Sequence, residues 1–439
     1  MRSSKTFILL FLTLVATLNF IDRQIIYVFA PFIQKDLGLS NTELGFLLGP
    51  AFAIVYMFSA FPFAALADRF KRVNVLAFAI AMWSAFTAFT GLAKGFHALA
   101  IARMGVGIGE AGASPASQSM IADLYPRHKR ATALAVIALA VPLGVMLANF
   151  IAAALIGEDT AQINWRRTFI LLGVFGLAIA LLFKLLIGEP KRGASDGLAR
   201  AAKSVKPSFL SDLAVLMQLP SWWLMCLGVA FGSFVAWSFA GFQTKFILTL
   251  EPEVDFRRVL IAIGLINGIA YSLSTYLGAK LTDILSRRTI RAYGYIPLIA
   301  VLCALPLAIA SFQAESVTMH LIYIFAFLLF LGAYLGPTSA IVQTLAPIHI
   351  RATSAALYGF ITTAIALASG PLVSGIAIDY LLKSHSRLDA IRLAMSGVSF
   401  AFLLSALCFI GVIIFLPRDW KAAQMRNAAN ADEAIDIFD

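Results

Sequence analysis

Polar loops divide this chain into apolar blocks of about twenty residues, each long enough at about 1.5 Å per residue to cross a hydrocarbon core of about 30 Å. Twelve blocks are legible, at 7–31, 43–67, 73–93, 97–121, 131–156, 166–188, 221–247, 257–281, 291–311, 318–343, 353–380 and 391–416. A backbone in lipid must satisfy its own hydrogen bonds, which leaves helices or a closed barrel. The blocks lack the ten-residue alternating segments of a barrel, so the chain is read as an all-α, multi-pass integral membrane protein. Its composition agrees: 60% of 439 residues are hydrophobic, 13% are charged, and the mean hydropathy is +0.87. The first block has no small-residue cleavage site behind a short apolar core and reads as a retained helix.

The net charge of +11 could suggest nucleic acid, but its distribution points to a membrane. Most Lys and Arg fall on alternate loops, among them Arg69, Lys71, Arg72, Arg127, Lys129, Arg130, Arg287, Arg288 and Arg351. By the positive-inside rule that side is cytoplasmic and holds both termini, which fits a bacterial inner membrane and no nucleic-acid partner. Cys226, Cys303 and Cys408 lie in apolar blocks without paired spacing and imply neither disulfides nor a metal site.

The longest cytoplasmic connection, polar and basic, separates six blocks from six. The expected organisation is an N-terminal bundle over 1–188, a linker over 189–212, a C-terminal bundle over 213–420 and a cytoplasmic tail over 421–439. The two halves resemble each other. "DRFKR" after the second block aligns Asp68 and Arg72 with Asp283 and Arg287 of "DILSRR" after the eighth. "PRHKRATA" after the fourth aligns with "PIHIRATS" after the tenth. Two matches at corresponding positions point to a duplicated six-helix unit, a common plan of transporters.

On these motifs the whole chain resembles the major facilitator superfamily, which implies twelve transmembrane helices in two pseudo-symmetric six-helix bundles. The superfamily's loop signature is matched by Ala64, Asp68, Arg69, Lys71 and Arg72, with Ala64 where Gly is usual. An Asp at a cytoplasmic helix end can exchange partners between two conformations, so Asp68, Arg69, Arg72, Asp283 and Arg287 read as a conformational latch. The plainer alternative is a helix cap with topology charges.

Ionisable groups deep in a span are costly and mark function by default. The first half has Asp22 and Arg23 in its first helix and Arg103 and Glu110 in its fourth. Counted from the helix ends, Asp22, Arg103 and Glu110 lie within about 11 Å of depth, close enough to share one cavity. Arg103 and Glu110 share a helix face but are two turns apart, so contact between them would need water or the neighbouring Asp22 and Arg23. A structural ion pair is the competing reading. Gly105, Gly107, Gly109 and Gly112 predict close backbone approach, and Ser114, Ser117 and Gln118 continue a polar face. The matching region of the second half, "LLFLGAYLGPTSAIVQ", has no charge. That half offers aromatic and small polar groups instead, Trp237, Phe242, Tyr271, Tyr334, Thr338 and Tyr358. With Asn19, Arg23, Arg103 and Ser114 they are the substrate-binding candidates, and a site charged on one wall and apolar on the other suits an amphiphile with an anionic head. Lys245 and Lys280 lie near span ends, where snorkelling explains them equally well.

Within the superfamily, "LNFIDR", "APFIQKDLGLS", "ALADRFKR", "GVGIGEA" and "IADLYP" are most similar to the spinster lipid transporters. The resemblance implies a lysolipid or sphingolipid substrate and places Asp22, Arg23, Arg103 and Glu110 at that family's intramembrane charged positions. Organic-anion and hexuronate symporters share the Asp-Arg motif, the "DLGLS" loop and the Glu-Ala pair and are the alternative. An intramembrane enzyme or receptor is the reading of another class. It lacks support, since His97, His128, His320, His349 and His385 lie at loops or span ends and no phosphate-binding loop pattern occurs.

The expected mechanism is alternating access, coupled to protons through Asp22 and Glu110 with no other cofactor. With all four groups ionised the cluster is neutral; protonating the acids leaves Arg23 and Arg103 for a phosphate or carboxylate head, which guanidinium fits. The expected partners are that substrate and membrane lipid, with the protein acting as a monomer.

Overall fold

The computed structural model describes residues 4–156, 163–190, 215–347 and 350–436. Every regular element among them is helical. The first half contains α1 (Lys5–Leu37), α2 (Asn41–Leu48), α3 (Pro50–Arg69), α4 (Arg72–Leu92), α5 (Phe96–Ala111), α6 (Ala113–Leu124), α7 (Arg127–Ala138), α8 (Ala140–Leu155) and α9 (Trp165–Leu186). The second contains α10 (Pro220–Leu250), α11 (Phe256–Ile266), α12 (Ser272–Ser286), α13 (Ala292–Gln313), α14 (Val317–Leu331), α15 (Leu335–Leu345), α16 (Arg351–Thr362), α17 (Gly370–Leu381), α18 (Arg387–Ser399) and α19 (Ala401–Asp436).

Several of these are pieces of one crossing. A π-helical turn at Asn267–Tyr271 joins α11 to α12, and another at Thr363–Leu367 follows α16. A 3₁₀ turn at Gly332–Tyr334 joins α14 to α15. Such turns shift the hydrogen-bond register inside a long helix and are frequent at functional positions. Among the described residues, eleven helical stretches are long and apolar enough to span a membrane. The twelfth expected crossing is α5 with α6, which bends at Gly112. It holds Arg103, Glu110 and the small polar run, so its apolarity is lower.

Local sequence explains the helix ends. Ser4 caps α1 by accepting from the Phe7 amide, and Gly38, at φ 63°, ends it in the left-handed conformation. Ser40 and Glu43 form a reciprocal capping box on α2, and Pro50 opens α3. The expected linker over 189–212 lies outside the described residues except for Glu189 and Pro190. The tail continues α19 as helix to Asp436.

The described residues fall into two compact units. The first draws on Met1–Lys203, Ala240–Gly268 and Pro371–Ile391, and the second on Ser204–Phe239, Ile269–Gly370 and Arg392–Asp439. In the first, α1 packs on α8, α4 on α9, and α5 on both α3 and α4. The α5 glycines permit that approach. A Cβ on Gly109 would lie 2.7 Å from the Trp83 amide nitrogen, and one on Gly107 2.7 Å from the Phe52 carbonyl oxygen. Gly109→Ala is therefore expected to force α4 and α5 apart and destabilise the protein by about 1–3 kcal/mol, read as a lower midpoint of denaturation in detergent.

In the second unit, α13 packs on α14 and α19, and the turn at Gly332–Tyr334 packs on α12. Asp419 of α19 accepts from the Ser221 amide at 2.9 Å and its hydroxyl at 2.5 Å, which caps the start of α10. His320 is buried at the start of α14, its Nδ1 2.7 Å from the Ser311 carbonyl oxygen, which ties the start of α14 to the end of α13.

Candidate functional site

The charged residues of α1 and α5 meet inside the first unit. Asp22, Arg23, Arg103 and Glu110 are all buried, with exposures of 2%, 9%, 2% and 1%. The Arg23 guanidinium donates to one Glu110 carboxylate oxygen from Nη2 at 2.7 Å and from Nε at 3.2 Å. The seven-residue spacing on α5 kept Arg103 from reaching Glu110 itself, and Arg23 fills that gap from α1. Asn19, one turn before Arg23, is buried beside Glu110.

The aromatic lining explains how two guanidinium groups tolerate each other. Arg23 stands over the rings of Phe20, Phe52 and Tyr56 at 5.3, 4.8 and 4.9 Å, and Arg103 over Phe52 at 4.9 Å. Phe52 thus faces both cations with its electron-rich ring. Arg103 otherwise donates only from Nε, to the Leu47 carbonyl oxygen at 3.3 Å, and its buried Nη2 has no hydrogen-bond partner. Tyr27 donates to the Leu48 carbonyl oxygen at 2.9 Å, which ties α1 to the end of α2 beside Arg103.

Asp22 differs from the other three. It has no ion-pair partner among the described residues and is buried beside Trp83 and Thr87 of α4, the polar side chains that face it. Glu110 Oε1 and Asn19 Nδ2 are buried beside each other in the same region. Such a concentration of buried polar and charged groups in one place is exceptional for a packed interior. The sequence contained a signal for Trp83 and Thr87, polar side chains one turn apart in an apolar helix. Phe52 and Tyr56 gave none, because an aromatic in a span more often packs against lipid or core.

The remaining candidates lie elsewhere. Ser114, past the bend at Gly112, is exposed and accepts from Gln118 Nε2 at 3.0 Å. In the second unit, Tyr334 is buried with its hydroxyl 3.2 Å from Ser233 Oγ. Thr338 donates to the Tyr334 carbonyl oxygen at 2.7 Å, and its hydroxyl lies 3.4 Å from that of Tyr358. Tyr271, at the end of the first π turn, is a neighbour of Tyr334 and Tyr358. Three tyrosines, a threonine and a serine therefore gather without a charged group. Trp237 is half-buried on α10.

The expected latch is uneven. Arg72 is buried at 1% exposure and holds Glu189 at 2.8 Å, Asp123, the Ser119 carbonyl oxygen at 3.1 Å and the Pro190 carbonyl oxygen at 2.8 Å. Glu189 also accepts from the Val73 amide at 2.9 Å. Asp68 and Arg69 stand exposed at the end of α3, and Asp283 and Arg287 exposed at the end of α12. Asp123 and Glu189 were not singled out in the sequence, since single acids at loop ends are common.

A second polar knot lies at the opposite end of α1. Asp379 of α17 accepts at the N-terminus of α2, from the amide of Asn41 at 3.2 Å, its side chain at 2.7 Å, and the amide and hydroxyl of Thr42 at 2.7 Å each. A carboxylate there meets the positive end of the helix dipole. Lys245 donates to Gln34 Oε1 at 2.8 Å and to Asn41 Oδ1.

Comparison with known proteins gives a consistent relationship. Residues 12–371 match the family described as the Major Facilitator Superfamily. An MFS-type efflux pump of Mycolicibacterium smegmatis is 28% identical over 96% of this chain and 94% of its own length. The sphingosine-1-phosphate transporter SPNS2 of Danio rerio is 26% identical over 96% of this chain and 86% of its own. A hexuronate transporter of Bacillus subtilis is 32% identical, over 45% of this chain and 46% of its own. Among solved structures, a bacterial homologue of the human lysosomal transporter Spinster, inward-facing and unoccupied, superposes with a TM-score of 0.84. It is 26% identical and covers 95% of this chain and 99% of the other.

Proposed function

The chain belongs to the major facilitator superfamily, and on that premise we propose that it is a proton-coupled secondary transporter of an amphiphilic lipid with an anionic head, working by alternating access across a bacterial inner membrane with both termini cytoplasmic. The observation that carries this reading is the Arg103 guanidinium. It is buried and cationic, spends one of its donors on a backbone carbonyl, and leaves a buried donor free. Guanidinium presents a planar fork suited to phosphate or carboxylate, and an unsatisfied donor is what an incoming anionic head would complete. The full-length similarity to a sphingosine-1-phosphate transporter supports a lipid; the partial similarity to a hexuronate transporter supports a small sugar acid as the second reading.

Within this scheme Asp22 exchanges the proton. Asp22 is buried at 2% exposure without an ion-pair partner among the described residues, whereas Glu110 is already matched by Arg23. Arg103 takes the head, and Arg23 with Glu110 and Phe52 keeps the arginine in place.

Uptake by the purified protein in sealed proteoliposomes tests the assignment. Lysophosphatidate is expected to move unchanged and to be displaced by lysolipids but not by glucuronate; displacement by glucuronate alone would establish the hexuronate reading instead. Arg103→Ala is expected to weaken transport of the anionic lysolipid by about tenfold or more, corresponding to about 1.4 kcal/mol, while a monoacylglycerol of equal chain length is affected less than about twofold. Equal losses for both would assign Arg103 a structural role.

A further inference from the structure

At the end of α1 opposite its N-terminus the first unit contains an open cavity of about 1210 Å³, separate from the charged cluster. It is walled by the last turns of α1 and α10, the start of α9, and the segment from Leu382 to Arg387. Among the described residues, four cations line it, Lys35, Arg166, Lys245 and Arg387, against one acid, Asp36. Asp36 is already engaged. It accepts from Arg166 Nη2 at 2.9 Å and from Trp165 Nε1 at 3.1 Å.

The other three cations have no carboxylate within ion-pair distance among the described residues. Lys245 is the most telling. Its ammonium is half-buried inside a helix and is held only by the neutral amide oxygens of Gln34 and Asn41, while Asp379, the nearest acid, is spent on the α2 terminus. Snorkelling to water explains a lysine that reaches solvent, but not one turned onto two side-chain amides in a cavity that already has an excess of positive charge. The Arg387 guanidinium lies near enough to Lys245 for their charges to repel. Two cations facing one space without a carboxylate paired to either are mutually unfavourable, and an anion between them relieves both repulsion and desolvation.

We propose that this cavity is a binding site for a phosphate-bearing headgroup, seated against Lys245 and Arg387 with Lys35 at the rim. The proposal rests on the preceding functional reading only for the acyl chain that the headgroup would carry. Arginine supplies a planar fork to two phosphate oxygens and lysine a point charge to a third. The Pro31, Phe32 and Leu248 side of the cavity offers apolar surface for the first carbons of a chain. A headgroup here would lie at the end of the molecule that the charge distribution assigns to the extracytoplasmic side.

The test uses the full chain in phosphatidylcholine nanodiscs, with Thr249→Cys as a reporter in the cavity and Leu248→Cys as a second reporter should the first fold poorly. Thiol labelling is counted above that of the chain without the added cysteine. Lysophosphatidate is expected to slow labelling, a monoacylglycerol is not, and Lys245→Gln with Arg387→Gln is expected to raise the half-protecting concentration at least about tenfold. Protection by glycerol 3-phosphate as well identifies a soluble phosphate ester as sufficient; protection by the lysolipid alone identifies a headgroup delivered from the membrane. Both outcomes support the site. Equal protection with and without the two cations, or equal protection by the neutral lipid, overturns it. Arg103→Ala is expected to leave protection unchanged, and a wild-type chain that shows this protection but moves no lysophosphatidate in proteoliposomes would refute the transport reading and leave this site standing.

Discussion

Asp22→Asn is expected to abolish proton-driven accumulation while leaving the fold intact. One proton coupled to each substrate supports about a hundredfold accumulation at a gradient of two pH units, because each unit is worth about 1.36 kcal/mol. The amide cannot exchange a proton, so the accumulation ratio should fall to about one, while counterflow of labelled substrate down its own gradient continues. Stability should change little, because the Asp22 carboxylate forms no ion pair among the described residues and the amide occupies nearly the same volume. Flux and denaturation midpoint measured on the same preparation check both statements. A variant that still accumulates substrate with the wild-type dependence on external pH would remove Asp22 from the coupling scheme. Glu110→Gln would then be the remaining candidate.

The second large effect concerns stability. Arg23→Leu leaves the Glu110 carboxylate buried at 1% exposure without its cation, and breaking a buried pair from one side costs about 3–5 kcal/mol. Glu110→Leu should cost a similar amount, since Arg23 then loses its carboxylate and keeps the rings of Phe20 and Phe52 and the side chain of Tyr56. The double variant Arg23→Leu with Glu110→Leu should recover most of the loss, because apolar residues of similar size can replace a buried ion pair at little net cost. A double-mutant cycle on denaturation midpoints measures that coupling. Losses that simply add would mean that the two side chains act independently. The double variant is nonetheless expected to be inactive in transport, which would separate the pair's part in the mechanism from its part in stability.

Much of the candidate site could be read from the chain because charge in lipid is so expensive. Asp22, Arg23, Arg103 and Glu110 announce themselves against an apolar background, and helical rise alone places them at similar depth. The charge-free tyrosine and threonine group of the second half was legible by contrast with the first. What the four charges do to each other was not. The pairing of Arg23 with Glu110, the isolation of Asp22 and the shared ring of Phe52 depend on which faces of α1, α3, α4 and α5 turn inward. The latch shows the same division. Its motif is visible at Asp68 to Arg72, but the acids that hold Arg72, Asp123 and Glu189, are distant in sequence and ordinary in type.

The sequence by itself determined that the chain is helical and crosses the membrane repeatedly, because hydrophobic length and loop charge are local properties that the bilayer reads directly. It determined which residues would be costly to bury. Only the tertiary structure decided how that cost is met. Ion pairs, cation–ring contacts and the unmatched cations around Lys245 are set by distances of a few ångströms between helices, and a register shift of one residue would rotate each side chain by about 100° to another face.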